Sequence, residues 1–354
     1  MLKLEISLGK YSRYAVSFIQ KTKKCEQVSP LFREPYILTG YRQPHRSWCY
    51  YLTSCLQIHN ETGNVWSHFA AFFLYLYYTY WYIVNGVPKN ISIKDEQSDI
   101  NQRPLTGMIG FGICCLLYSL LSTLAHLLHS RNEVVHYTCF LIDYIGIGLY
   151  GQGMSIMLYY CSGNKAFYNT LGDVYLPLNC ILAVFATICH GIAKLHYVRP
   201  YPPMRRILQI GGSGLQVAFL ATPAYFRLFE CLGGSVECIS TAHHLRHISV
   251  FMLAIVFFAL HVPERLWKGC FDIVGHGHQV FHVLITWATL WQFEGGYRDL
   301  SIVPPEILAM ARGNLTGVLL SVTLSITLCL GFIWITRGKV RSNAQRDSSL
   351  PKEE

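Results

Sequence analysis

Two histidines four residues apart, His278 and His282, open an apolar stretch in the C-terminal third of the chain. Positions i and i+4 share one face of a helix, so both imidazoles point the same way. Ionisable groups inside a membrane-buried helix are costly, and by default they mark function. Zinc suits imidazole, and three neutral histidines form a common zinc set that leaves a fourth position to water. His126, at the end of an earlier apolar run, is the candidate third ligand. Asp143, inside the next run, is the candidate carboxylate, ligating directly or acting on a bound water as a base. Ser122 lies one turn before His126 on the same face and can hydrogen-bond to that water or to a substrate carbonyl. Single intramembrane histidines such as His190 and His261 read as packed or snorkelling residues, and His129 and His276, near run ends, as interfacial ones.

Side chains from three separate runs reach one site only if the fold brings those runs together at one depth. The chain has 354 residues, 52% of them hydrophobic and 14% charged. A soluble protein of this length usually carries about 25% charge, so the deficit indicates a polytopic membrane protein. The net charge of +9 does not indicate nucleic acid, because the basic residues sit between apolar runs where the positive-inside effect places them. The thirteen cysteines lie mostly inside those runs with no Cys-x-x-Cys pair, which excludes zinc-ribbon and redox-motif readings. Residues 1–24 lack the apolar core of a signal peptide, so the first span is expected to direct insertion.

Eight apolar runs each approach the roughly 20 residues that a span requires. They cover about 65–84, 105–128, 137–160, 173–193, 207–226, 247–262, 276–294 and 315–336. Before them, 1–64 reads as a basic tail, with 47–59 a candidate surface amphipathic helix. The expected fold is an all-α membrane protein: a seven-span core over 65–294, an outside loop over 295–314, an eighth span over 315–336 and a disordered cytosolic tail over 337–354.

Three signals place the N-terminus in the cytosol. The loops then inside hold seven Lys/Arg in 34 residues, against eight in 72 for the loops outside. The glycosylation acceptors Asn90-Ile-Ser92 and Asn314-Leu-Thr316 fall outside. So do Cys231 and Cys238, a candidate disulfide in a single outside loop. A third acceptor, Asn60, lies inside in this orientation. With this topology His126, Asp143, His278 and His282 all fall within about 10 Å of the cytosolic helix ends.

Several longer motifs resemble the progestin and adipoQ receptor family. They are Asn60-Glu-Thr-Gly-Asn-Val-Trp-Ser-His68, Ser122-Thr-Leu-Ala-His126 followed by Asp143-Tyr144, Val262-Pro-Glu-Arg265, and Phe271-Asp-Ile through His278-Gln-Val-Phe-His282. The resemblance implies seven helices with a cytosolic N-terminus. It also implies zinc held by His126, His278 and His282 with Asp143 nearby. Pro30 to Arg42, Arg199 to Arg205 and Asp272 to His278 are similar to the membrane progestin receptor branch, near its alpha and beta members; Glu61-Thr-Gly-Asn64 is closer to the adiponectin-receptor form.

Two functions follow as expectations. The first is a plasma-membrane progestin receptor acting by rapid non-genomic signalling. Gln209 or Gln216 would serve as ketone donors unless they are spent on helix–helix hydrogen bonds. Coupling to a heterotrimeric G protein through the basic loop 194–206 or the C-terminal tail is implied by the resemblance alone. The second is a zinc-dependent, ceramidase-like lipid-amide hydrolase, with Asp143 as base and Ser122 stabilising the oxyanion. A purely structural zinc is the third reading.

Overall fold

A computed structural model describes residues 21–86, 99–197, 201–234 and 242–349. Asn90 and Cys238 lie outside the described residues. Among those described, the regular elements are helices, and the only pairing of extended backbone is the isolated bridge between Lys23 and Tyr41. In hydrocarbon the backbone must satisfy its own hydrogen bonds, which a helix does. In chain order the α-helices are α1 (Trp48–Thr53), α2 (Thr62–Asn85), α3 (Asp99–Leu128), α4 (Glu133–Cys161), α5 (Lys165–Leu171) and α6 (Tyr175–His196). They continue with α7 (Pro203–Leu220), α8 (Thr222–Leu232), α9 (Ala242–Leu260), α10 (Gly277–Ile302), α11 (Pro305–Leu308) and α12 (Leu315–Ser348).

Each apolar run falls on one of these helices, except that the fifth is divided between α7 and α8. Pro223 stands in the first turn of α8, where its missing N–H is tolerated, whereas it would break a continuous helix. Among the described residues, five helical segments are long and apolar enough to cross a membrane: Leu105–Leu128, Glu133–Cys161, Tyr175–His196, His243–Leu260 and Leu315–Ser348. The helices α2 and α10 have spanning length, but Tyr, Trp, His and Gln take many of their positions and lower their hydropathy.

Two terminal segments differ from expectation. In the described part of the N-terminal segment Val28, Phe32, Ile37 and Tyr41 form a small core, and Asp272 accepts hydrogen bonds from the Leu38 N–H at 3.0 Å and the Thr39 hydroxyl at 2.7 Å. Within it, 47–59 forms only the short α1 and a 3₁₀ turn, and Leu52, Leu56 and Ile58 remain exposed. The tail expected to be disordered instead continues α12 to Ser348. Its charged composition conceals one face with partners: Asn343 Nδ2 donates to the Leu195 carbonyl at 2.8 Å, and the Tyr137 hydroxyl donates to Asp347 at 2.7 Å.

Aromatic residues dominate the core. Phe111 of α3 meets Phe293 of α10 with ring centroids 4.6 Å apart, and Tyr118 meets Tyr150 of α4 at 5.1 Å. The helices α4 and α6 approach closely at Gly148, where an added Cβ would lie 2.5 Å from the Ala183 carbonyl oxygen. Asn132 caps α4, its side chain accepting from the Val135 N–H at 2.9 Å. The tight turn from α3 into α4 lays these two helices antiparallel.

A second polar lock sits at the end of α10 away from His278. Asp299 is fully buried and accepts from His243 Nε2 at 2.8 Å and His244 Nε2 at 2.9 Å, with the Arg227 guanidinium 2.6 Å away. Burial pushes this carboxyl up, but His244, His243 and Arg227 outweigh it and hold the group far below the usual carboxylate range. The lock ties α8, α9 and α10 together beyond the apolar run that ends at 294. Removing one partner of a buried ionic group costs roughly 3–5 kcal/mol, so Asp299→Asn should lower the unfolding midpoint of purified protein markedly at neutral pH. A carboxyl with a depressed folded pKa contributes stability above its unfolded value. The gap between wild type and variant should therefore persist on acidification to about pH 4 and close only below it.

Candidate metal centre

The local sequence explains how α10 presents its histidines. Gly275 adopts φ +89°, a conformation that favours glycine, and turns the chain into the helix. The Gly277 N–H then donates to Glu264 at 2.6 Å, which places a carboxylate at the positive helix N-terminus. A Cβ at Gly277 would lie 2.7 Å from the Phe257 carbonyl oxygen, so the Gly-His-Gly-His stretch is dictated by backbone approach. His278 and His282 follow on the first turns of α10.

His126 is fixed from the opposite side. Arg42, buried in the N-terminal segment, donates to the His126 carbonyl at 2.7 Å and the Leu127 carbonyl at 2.5 Å. A guanidinium thus satisfies the free carbonyls at the C-terminus of α3. Glu61, just ahead of α2, receives His126 Nδ1 at 2.8 Å, His129 Nε2 at 3.2 Å and the Asn64 side-chain amide at 2.7 Å. Burial alone would push the Glu61 carboxyl up, but His129 and His126 more than offset this and hold it well below the usual carboxylate range.

An ionised carboxylate only accepts, so His126 carries its proton on Nδ1 and turns an Nε2 lone pair toward the cluster. There His278 Nε2 stands 3.2 Å away. The His282 ring lies 4.6 Å from that of His278 and 5.1 Å from that of His126, centroid to centroid. Ser67 Oγ is 3.0 Å from His282 Nδ1, which leaves His282 Nε2 for the cluster. One ligand atom from each of His126, His278 and His282 lies within 4.8 Å of the others.

These residues fit zinc. Two nitrogens at 2.0–2.1 Å from one tetrahedral ion stand about 3.3 Å apart, close to the observed His126–His278 spacing. The Glu61–His126 pair is the carboxylate–histidine arrangement that orients a metal-ligating imidazole. Beside the cluster, the buried His68 ring stacks on His282 at 3.6 Å, and neither of its nitrogens has a hydrogen-bond partner among the described residues. Such an orphaned imidazole marks the space as polar.

Asp143 lies close to Ser122 and to His126. It is not part of the tight three-histidine group among the described residues. His129 and His276, read as interfacial, are in fact buried: His129 on Glu61, and His276 with its Nε2 3.2 Å from the Asn60 carbonyl oxygen. From His129 a polar string continues through His136 at 3.2 Å to Lys194 at 3.0 Å. Gln216 is buried and spends its amide on the Gly148 carbonyl at 2.9 Å, a helix–helix bond, while Gln209 is half-buried. Asn314 is exposed, and its side chain caps α12 by accepting from the Gly317 N–H at 3.0 Å. Cys231 is disulfide-bonded. Glu61, Arg42 and His68 took no part in the site as read from sequence. The one signal for Glu61 was an acid placed directly ahead of an apolar run.

Apolar spanning helices and a buried histidine cluster near one set of helix ends, among the described residues, define a polytopic membrane protein with a buried polar site. Residues 56–293 match the family described as Haemolysin-III related. The chain is 36% identical over 269 residues to human membrane progestin receptor beta, covering 75% of this chain and 73% of that protein. It is 33% identical over 282 residues to membrane progestin receptor alpha of Cynoscion nebulosus, covering 79% and 76%, and 30% identical over 311 residues to the mouse alpha receptor, covering 83% and 86%. The chain belongs to the progestin and adipoQ receptors of the haemolysin-III-related family, in the membrane progestin receptor branch.

Loss of an outer-shell carboxylate typically costs 10–100-fold in metal affinity. Chelator titration should therefore strip zinc from Glu61→Gln at about 10–100-fold lower chelator activity than from wild type, and His282→Ala should retain no stoichiometric zinc. Equal zinc affinity in wild type and Glu61→Gln would contradict the role given to Glu61.

Proposed function

We propose that this chain is a plasma-membrane receptor for progestin steroids. It signals rapidly through a heterotrimeric G protein and carries a zinc site near its cytosolic face. The observation that carries this reading is the similarity, over three quarters of the chain and at 30–36% identity, to proteins named membrane progestin receptors. The proposed topology has a cytosolic N-terminus, seven spans from α2 to α10 and α12 as an eighth that returns the C-terminus to the cytosol. It is supported by the agreement between the eight apolar runs and the helices, and by the denser Lys/Arg in the loops assigned inside. In this topology Asn90 and Asn314 are available for glycosylation, and Cys231 pairs with Cys238 in an outside loop.

His126, His278 and His282 would hold the zinc and so join α3 to α10. When bound, zinc supplies Lewis acidity and a positive charge that offsets the buried carboxylates. A progestin enters from the bilayer as a flat apolar molecule with ketone acceptors. Gln209, half-buried on α7, has a donor for a ketone, whereas the amide of Gln216 is engaged at Gly148. The basic loop 194–206 and the helical C-terminal segment form the face for the G protein.

One observation favours a second reading, zinc-dependent hydrolysis of a lipid amide such as ceramide. Asp143 stands beside Ser122 and His126 yet outside the histidine group, which is where a general base belongs. There Asp143 takes a proton from water, and the Ser122 hydroxyl donates to the carbonyl oxygen.

The test is saturable binding of labelled progesterone to purified, folded protein. Binding should be present and should survive Asp143→Asn, and its absence would remove the receptor reading. If the chain also cleaves ceramide, the same substitution should lower that rate by roughly 10²–10⁴-fold. An unchanged rate would remove the role assigned to Asp143.

A further inference from the structure

The polar string that leaves Glu61 has a direction. Lys194 Nζ stands 3.0 Å from His136 Nε2, His136 Nδ1 stands 3.2 Å from His129 Nδ1, and His129 Nε2 stands 3.2 Å from Glu61 Oε1. An ammonium only donates, so His136 Nε2 accepts and the single proton of that ring is on Nδ1. This N–H donates to His129 Nδ1, which leaves the His129 proton on Nε2, facing Glu61. The other end gives the same answer. An ionised carboxylate only accepts, so His129 donates from Nε2 and its Nδ1 is left to accept from His136. Two opposite charges far apart in the chain therefore dictate one pair of tautomers.

The surroundings favour transmission along the string. His129 and His136 are buried, and Lys194, in the last turn of α6, is half-buried. Phe140, one turn beyond His136 on α4, packs against His129 with ring centroids 5.2 Å apart and against His136 at 4.8 Å. Lys194 Nζ lies 4.2 Å from the centre of the same phenyl ring. In such a low-dielectric setting, hydrogen bonds that run in one direction polarise one another. The ammonium at one end thus strengthens the His129 N–H that holds Glu61, whose other oxygen receives His126 Nδ1 at 2.8 Å. The string is braced by α12, which binds the residue next to each of its outer donors: Tyr137 donates to Asp347 at 2.7 Å, and Asn343 donates to the Leu195 carbonyl at 2.8 Å.

We propose that Lys194 is a positioning residue for the metal centre, holding His126, through His136, His129 and Glu61, in the tautomer and orientation that present its Nε2 to the ion. This rests on the zinc reading of the three histidines. It ties their affinity for the metal to a charge at the start of the basic loop that follows α6, so that neutralising Lys194 there loosens zinc.

The test is chelator competition on the purified full-length protein at fixed pH. Lys194 acts three hydrogen bonds beyond Glu61. Since outer-shell changes at one remove cost 10–100-fold, Lys194→Met should weaken zinc by about 3- to 10-fold. Lys194→Arg keeps a cation that only donates and should stay within about 2-fold of wild type. His136→Phe should weaken zinc at least as much as Lys194→Met. In the His136→Phe background Lys194→Met should change nothing further, because the string is already cut. Wild-type affinity in Lys194→Met, a loss as large in Lys194→Arg, or full additivity with His136→Phe would each overturn the proposal. A folded wild type without zinc would instead remove the metal reading. The string is then judged by nitrogen-15 spectra of the wild-type histidines. Protons on His136 Nδ1 and His129 Nε2 support it, and the opposite tautomer at either ring overturns it.

Discussion

The histidine end of this molecule depends on one buried carboxylate. Glu61 is 4% exposed and accepts from two imidazoles at the C-terminal end of α3 and from the Asn64 amide of α2. A charge in such surroundings persists only when it is paired and hydrogen-bonded. Once paired, it settles the next shell: it fixes the proton of His126 on Nδ1 and thereby aims Nε2 at His278 and His282. Arg42 holds the same turn of α3 by its backbone, so His126 is set from both sides by residues that precede the first long helix. The N-terminal segment is accordingly part of the site's support.

The other end repeats this solution with different residues. Asp299 gathers His243, His244 and Arg227 as Glu61 gathers His126, His129 and Asn64. Between the two polar locks the interior is apolar and aromatic, with Tyr75, Phe111, Tyr150 and Phe293 in one continuous cluster. Few buried charges, each with several partners and confined to the helix ends, suit a chain whose middle lies in hydrocarbon. The two locks differ in one respect. Asp299 is met directly by the Arg227 guanidinium, whereas Glu61 is met by two imidazoles and an amide, and the Arg42 guanidinium near it is spent on the His126 and Leu127 carbonyls. The three-histidine group offers a metal one ligand atom from each of His126, His278 and His282.

Much of this was legible in the sequence because hydropathy and helical spacing are local signals. His278 and His282 share a face by periodicity alone, and the depth of His126 followed from where its apolar run ends. Glu61 and Arg42 were not legible, because their significance comes from contacts 65 and 84 residues away in the chain. The helical reach of α12 was hidden for a related reason. Residues 337–348 have the composition of a solvated tail, and they become helical because Asn343 and Asp347 find partners on α6 and α4. The division of the fifth run at Pro223 was readable from proline chemistry, but its apolar neighbours masked it. His129 and His276 looked interfacial by position and are buried because the N-terminal segment covers that end.

The central claim is that His126, His278 and His282 share one zinc ion. The most direct measurement is zinc-edge X-ray absorption on the purified full-length protein. The predicted result is one zinc per chain with three imidazole nitrogens at about 2.0–2.1 Å and no sulfur in its first shell. A protein that is folded but free of zinc, or a zinc shell containing cysteine sulfur at about 2.3 Å, would contradict it.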